Sequence, residues 1–330
     1  MTRGELLRPA PWRGALTAPG PRPTDGLDAD SPTGWPHPVW FRNAWFRLAT
    51  FVTIWLVIAT AASPFTSGDT PGDAWRLALL ELVTSVVAYL IVVVGLENRR
   101  PPFELRVDRW RGLLVGLALG AGVCLLVVGI LVLLGARRFT GVDADFAWAY
   151  PVFRVAVVAG VSEEIIFRGI LYRLVESHWG TWAALAVSSA AFGAAHLTNE
   201  NATAWGVIAI AVEAGLMFGI LYTLTRSLWL VIGIHAAWNL TQGAVLGSVV
   251  SGTSGLGNGW FLSEPTGPDW LSGGAFGIEA SPVAVALWLV VALWAAIRVV
   301  REGRVIAPFW VRHRRATEVA TQVGLPRRLR

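Results

Sequence analysis

The segment AGVSEEIIFRG, residues 159–169, places two adjacent glutamates and an arginine inside an otherwise apolar stretch. Ionisable side chains are costly in a bilayer, so their presence there indicates a function or a buried partner. Glu164 and Arg168 are four residues apart, so on a helix they can form an ion pair, which could be purely structural. Glu163 points about 100° away from Glu164 and has no such partner on its own helix. It is therefore the candidate to accept a proton.

Later apolar segments contribute His196, in AFGAAHL, and the pair His235 and Asn239, in IGIHAAWNL. Glu163, helped by His196, could draw a proton from a water that attacks a peptide carbonyl. His235 and Asn239 are four residues apart and could donate hydrogen bonds to the resulting oxyanion. This chemistry needs no serine or cysteine nucleophile, and no cofactor is expected. A single buried histidine could equally just bond a neighbouring carbonyl.

Two other hypotheses use the same residues. Glu163, His196 and His235 could supply three zinc ligands and leave an open position for water. The chain has no H-E-x-x-H motif, and Asn239 stands where an oxyanion donor would be useful, so both points favour the metal-free site. A non-catalytic membrane protein could also keep the polar cluster for structure. Glu213 belongs to none of these motifs, and a structural or cavity-lining role is expected for it.

The composition is that of a membrane protein. Of the 330 residues, 54% are hydrophobic and only 15% are charged, and the mean hydropathy is +0.55. Eight apolar segments each have about the 17–25 residues that a helix needs to cross a bilayer. They are 45–63, 77–96, 112–134, 151–172, 181–198, 204–224, 228–248 and 282–300. We therefore expect an all-α polytopic membrane protein with about eight transmembrane helices and an active site buried between them.

The arginines predict how these helices are oriented. They gather in alternate loops and in the tails, which predicts a multi-pass cell-membrane protein with both termini in the cytoplasm. Arg137 and Arg138 run against this alternation. Because the basic residues follow the topology, the pI near 10.3 does not indicate nucleic acid as a partner.

The expected organisation has six parts. A disordered basic tail, 1–40, precedes three transmembrane helices in 41–148, and the catalytic core follows in 149–250. The Gly/Ser-rich stretch 251–281 is expected to form an external loop, 282–300 the last transmembrane helix, and 301–330 a basic cytoplasmic tail.

Three short motifs occur in order along the apolar segments. EEIIFR fits E-E-x-x-x-R, FGAAH fits F-x-x-x-H, and HAAWN fits H-x-x-x-N. In this order they resemble the CPBP family, which comprises type II CAAX prenyl endopeptidases and related bacterial proteins linked to bacteriocin processing or self-immunity. The resemblance covers roughly 150–248.

The resemblance implies a glutamate-dependent bacterial intramembrane protease with eight helices. The family's catalytic positions fall on Glu163, His196, His235 and Asn239. The first two would activate water and the last two would hold the oxyanion, with Glu164 and Arg168 in support. The expected partners are the lipid bilayer and a membrane-associated protein or peptide substrate. A zinc-dependent membrane peptidase and a non-catalytic immunity or scaffold protein are the alternatives.

Overall fold

The computed structural model describes residues 43–62, 71–253 and 259–314, and these residues are mostly helical. The tail 1–40 and the end of the tail 301–330 lie outside the described residues. Four helices are α-helical throughout: α1 (Ala44–Ala62), α3 (Arg111–Leu133), α5 (Thr181–Ala195) and α8 (Pro282–Arg301). Helix α2 (Pro71–Leu90) continues as the π-helical stretch Ile91–Leu96, and three more helices change their winding along their length: α4 (149–179), α6 (204–225) and α7 (228–245).

Each of the eight predicted apolar segments lies largely within a helix where the structure describes it. Among the described residues, five helices are long and apolar enough to cross a membrane by length and composition. These five contain Ala44–Ala61, Gly72–Leu96, Val107–Leu133, Ala204–Thr225 and Pro282–Arg301. Helices α4, α5 and α7 do not meet this criterion of length, hydropathy and charge. The number of eight crossings stays a prediction.

The interruptions are π-helical turns, and they fall beside the polar residues. In α4, the π-helical stretches Val152–Ala159 and Ile165–Tyr172 flank the α-helical turn Gly160–Glu164. Helix α6 contains Ala211–Leu216 in this winding, and α7 ends with Leu240–Val245. Because a π turn adds a residue per turn, it changes which side chains face a neighbour, and it is frequent at functional sites.

Small residues fix the position of α7, which carries His235 and Asn239. A Cβ added at Gly116 of α3 would lie 2.3 Å from the Leu230 carbonyl oxygen of α7, and one added at Gly233 would lie 2.4 Å from the Leu113 carbonyl oxygen of α3. The two backbones can approach this closely only because neither glycine has a side chain. Larger residues there would displace the helix that carries half of the predicted site.

A two-stranded antiparallel sheet departs from the all-α expectation. Strand β1 (Arg137–Val142) pairs with β2 (Phe261–Pro265). Arg137 donates hydrogen bonds to Ser263 Oγ at 2.7 Å and to the Gly247 carbonyl at 3.2 Å, and Arg138 pairs with Glu264 across the strands. The two arginines that break the charge alternation thus have partners in this sheet.

The stretch predicted as a Gly/Ser-rich loop is largely structured where it is described. Besides β2, it forms the short helical turns Asp269–Ser272, Gly274–Phe276 and Ile278–Ala280. Its two ends are tied together because Ser251 donates its backbone N–H to Glu279 Oε2 at 2.6 Å and its hydroxyl to Oε1 at 3.1 Å. These contacts depend on residues far apart in the sequence, which composition does not reveal.

Candidate active site

One cavity of about 840 Å³ lies between the helices, and residues of every helix except α3 line it. The four predicted catalytic residues, Glu163, His196, His235 and Asn239, all line this cavity. They come from α4, from the turn that ends α5, and from α7. The structure thus brings together the residues that the sequence selects from three separate segments.

Glu163 projects from the α-helical turn of α4 towards the cavity, and 24% of its side chain is exposed. Its Oε2 atom is buried and accepts no hydrogen bond from any described residue. The Nε2 atom of His235 stands 3.9 Å from this oxygen. The Oε2 atom of Glu163 can therefore accept a proton from a water molecule or a substrate group that binds next to it.

Glu164 and Arg168 form the predicted ion pair behind the cavity wall. Both side chains are fully buried, and Arg168 Nη1 donates to Glu164 Oε1 at 2.9 Å. The other end of the guanidinium donates to the backbone carbonyls of Ala214, in a short contact, and of Gly215 at 3.2 Å. The arginine therefore ties α4 to the π-helical part of α6.

Glu164 has a second partner that the sequence does not indicate. The same Oε1 atom accepts a hydrogen bond from His235 Nδ1, also at 2.9 Å. Because a carboxylate paired with an arginine can only accept, the proton of this bond belongs to Nδ1. The bond fixes the imidazole ring so that its Nε2 atom faces Glu163.

His196 follows α5 directly, in the 3₁₀ turn His196–Thr198. Its Nδ1 atom lies 2.8 Å from the carbonyl oxygen of Phe192, one turn earlier. Since a carbonyl can only accept, Nδ1 carries the proton, and Nε2 of the neutral ring is left with a lone pair. The local bond that a structural histidine would make is therefore present, and it leaves Nε2 available to take a proton.

Asn239 lies one helical turn beyond His235 on the same face of α7 and is 6% exposed. Its side chain lines the cavity beside that of Trp238. An amide donor and an imidazole are thus presented one above the other along one wall of the cavity.

The zinc alternative requires three donor side chains grouped around one point. Within the described part of the chain, no three His, Cys, Asp or Glu side chains are grouped closely enough to hold a metal ion. Glu163, His196 and His235 line one cavity without forming such a group. Whether the site holds zinc stays a prediction.

Sequence reasoning missed three charged residues of the cavity wall. Glu81 and Arg154 form an ion pair of 3.0 Å between α2 and α4, and both line the cavity. Each lies inside a predicted apolar segment, so the rule that selected Glu163 also applies to them. Glu279 lies outside these segments and gave no signal. Glu213 lines the cavity, as expected.

Comparison with known proteins gives one result. Residues 145–241 match the family model of the type II CAAX prenyl endopeptidase Rce1-like proteins. No curated protein and no solved structure gave a significant match. The matched segment contains the three motifs and all four residues that line the cavity as candidate catalytic groups. With the five long apolar helices, the match indicates a multi-pass membrane protein. The match covers less than a third of the chain, and over residues 145–241 it supports the family resemblance that the three motifs indicate.

Proposed function

We propose that this protein is an intramembrane endopeptidase that cleaves a membrane-associated protein or peptide with a water activated by Glu163. The observation that supports this most directly is the free Oε2 atom of Glu163, which faces His235 Nε2 at 3.9 Å across a cavity shared with His196 and Asn239. Proton acceptor and hydrogen-bond donors are the groups that hydrolysis of a peptide bond requires.

The reaction balances with these residues alone. Glu163 takes one proton from a water molecule while the water oxygen bonds to the peptide carbonyl carbon. The carbonyl oxygen becomes an oxyanion. The protonated Glu163 then gives that proton to the amide nitrogen, the C–N bond breaks, and an amine and a carboxyl group leave. His196 Nε2, whose lone pair is free, holds the water beside Glu163.

The two groups of α7 differ in what they need to stabilise the oxyanion. Asn239 can donate from its amide at any pH. His235 already uses its Nδ1–H to donate a hydrogen bond to Glu164. Its Nε2 atom can therefore donate only when the ring is an imidazolium, which carries a second proton. Glu164 and Arg168 support catalysis by holding this ring in place rather than by touching the substrate.

The test is a comparison of cell membranes that contain the wild-type protein or the Glu163→Gln variant at matched levels. Proteome-wide sequencing of N-termini should find new termini in wild-type membranes that disappear in the variant, with intact substrates accumulating instead. Glu302→Gln, which changes an exposed glutamate paired with Arg298 and Arg304, is the control and should match the wild type. Identical sets of termini in all three samples would contradict the proposal.

The role of metal is decided on the purified protein with a substrate from that comparison. We propose a metal-independent site, so cleavage should continue after prolonged chelation and the protein should hold far less than one zinc ion per chain. Activity that is lost on chelation and restored by zinc would instead support the zinc-dependent alternative.

We also propose that both termini are cytoplasmic. The single cysteine, Cys124, is fully buried and can be replaced by alanine before labelling sites are introduced. Trp270→Cys, at a position that is 67% exposed after β2, should react with a membrane-impermeant maleimide in intact cells. Arg301→Cys, at the end of α8, should react only after permeabilisation. The reverse pattern would contradict this orientation.

A further inference from the structure

Two carboxylates of the cavity wall have no part in the proposed chemistry. Glu213 lies in the π-helical part of α6, and Glu279 lies in the short turn before α8. Each is 3% exposed, both line the cavity, and α6 contacts the turn of Glu279, where Trp205 Nε1 donates to the Ala280 carbonyl at 2.7 Å. Ser251, which holds Glu279, also accepts a hydrogen bond from Asn199 at 2.6 Å, so Glu279 lies near the turn that carries His196.

The two carboxylates differ in how they are satisfied. Glu279 accepts two hydrogen bonds from Ser251, which hold it in place. The Oε1 atom of Glu213 is buried and finds no hydrogen-bond partner anywhere in the described part of the chain. A buried polar atom without a partner carries a desolvation cost, so a missing partner is expected at this point.

No described arginine of the cavity is free to supply that partner. Arg154, which lines the cavity, is paired with Glu81 at 3.0 Å. Arg168 lies behind the wall and is paired with Glu164. The end of the cavity at Glu213 and Glu279 therefore has an excess of acceptors, and it favours a cation that comes from outside the chain.

Aromatic rings complete the description of this cavity. Trp238 and Trp288 both line it, with ring centroids 5.4 Å apart and planes inclined at 61°. Trp288 is on α8, against which the π-helical part of α6 packs. Indole faces attract organic cations, whereas a metal ion would need more grouped ligands than the described residues provide.

We propose that Glu213 and Glu279 form a subsite for a basic side chain of the substrate, a guanidinium or an ammonium group. Glu279 is the fixed half of the subsite, Glu213 offers the free acceptor, and the tryptophans enclose the aliphatic stem. Read as substrate specificity, this rests on the proposed function: the protease would prefer an arginine or lysine near the scissile bond. The binding of the cation itself does not depend on catalysis.

The binding test uses the full-length Glu163→Gln protein in nanodiscs, because this change removes the other free carboxylate of the cavity. The probes are n-butylguanidinium and n-butylurea, which share a shape and differ in charge. The guanidinium should bind about ten- to a hundredfold more tightly than the urea, the range expected for hydrogen bonds to a charged group. Adding Glu213→Gln or Glu279→Gln should abolish this preference.

Two controls locate the effect. Glu81→Gln, in the same cavity, and Glu302→Gln, outside it, should both keep the preference. Glu279→Gln also removes acceptors of Ser251 and could impair folding, so Glu213→Gln, whose Oε1 has no partner to lose, decides the matter. Equal binding of the two probes, or a preference that is lost in Glu81→Gln and kept in Glu213→Gln, would overturn the proposal.

The two proposals fail separately. If the guanidinium preference is found but no termini depend on Glu163, the cation site stands and the protease does not. If termini depend on Glu163 but show no enrichment of arginine or lysine near the cut, and the probes bind equally, the protease stands and the basic subsite is overturned.

Discussion

Two regions of this protein contain buried charges, and the regions differ in how these charges are paired. The arginine network, formed by Glu97, Arg99, Glu104 and Arg173, lies where α2, α4 and the turn 103–105 meet. Arg99 contacts Glu104 at 2.6 Å, and Arg173 contacts Glu97 at 2.8 Å. Its four members are each less than a sixth exposed, yet each has an ion-pair partner.

The cavity holds the same types of residue with unsatisfied atoms. Glu163 Oε2 and Glu213 Oε1 are buried and accept no hydrogen bond from the described residues. Since both regions carry the desolvation cost of buried charge, burial by itself does not distinguish structure from function. The ion-pair partner does: Arg99 lies 2.6 Å from Glu104 and Arg173 lies 2.8 Å from Glu97, whereas no described arginine pairs with Glu163 or Glu213. The cavity therefore leaves acceptors for a water or a substrate.

The largest expected effect concerns a fully paired glutamate. Glu176 is completely buried and pairs with Arg226, while its Oε1 also accepts from Thr181 at 2.8 Å. Glu176→Gln strands the arginine and should lower the free energy of unfolding by about 3–5 kcal/mol. Thermal melts and cleavage rates per folded molecule are the measurements. Glu302→Gln, whose ion pairs are more exposed, should cost less than about 1 kcal/mol. Normal stability and lost cleavage in Glu176→Gln would break the comparison.

Glu164 combines both kinds of contact, because it is paired with the buried Arg168 and also holds His235 of the cavity. Glu164→Gln should lower both stability, by about 3–5 kcal/mol, and activity. The double variant Glu164→Gln/Arg168→Gln leaves no unpaired charge and should recover part of the stability. It should not recover cleavage, since His235 still lacks its carboxylate partner. Recovery of full cleavage would show that orientation of His235 by Glu164 is unimportant.

Asn239 tests the cavity without disturbing a charge. Asn239→Ala should lower turnover by about 10²–10³-fold, the usual loss for one oxyanion donor. Its melting temperature should stay close to that of the wild type, because the side chain is not part of an ion pair. Ala237→Gly, at a neighbouring buried position on α7, controls for changes in the helix and should keep most of the turnover. Equal losses in the two variants would remove support for the oxyanion role.

The smallest expected effect is the contribution of Glu104 to the pH dependence of stability. Glu104 lies between two apolar helices. Burial alone would raise the pKa of Glu104, but Arg99, Arg173 and the Tyr89 hydroxyl outweigh it and hold that pKa below its usual value. A lowered folded-state pKa stabilises the protein fully above the ordinary value of a glutamate, and this stabilisation is lost as the pH falls through the folded pKa. Melting temperatures should therefore fall on acidification, and Glu104→Gln should lack this part of the fall. An identical fall in both proteins would contradict it.

The sequence predicts well what lies within one helix and poorly what connects helices. The Glu164–Arg168 pair follows from a spacing of four residues, and the structure confirms it. The bond from His235 to Glu164 joins helices far apart in the chain, so no local pattern reveals it. Glu81 could have been predicted as a charged residue inside an apolar segment. Glu279 reaches the cavity only through the folding of 259–281, so its position could not be predicted from a local pattern. The sheet of β1 and β2 likewise rests on a long-range pairing.

The central claim is that Glu163 is left unpaired for catalysis and not for stability. Glu163→Gln is nearly isosteric and adds no buried charge, so the purified variant in detergent should melt at least as high as the wild type. An amide cannot take a proton from water, so reconstituted Glu163→Gln should show no cleavage of a substrate that the wild type cuts. Both quantities are measured on the same preparations, with Glu164→Gln beside them. Normal cleavage by Glu163→Gln would contradict the account, and so would a Glu164→Gln variant that is as stable as the wild type and yet inactive.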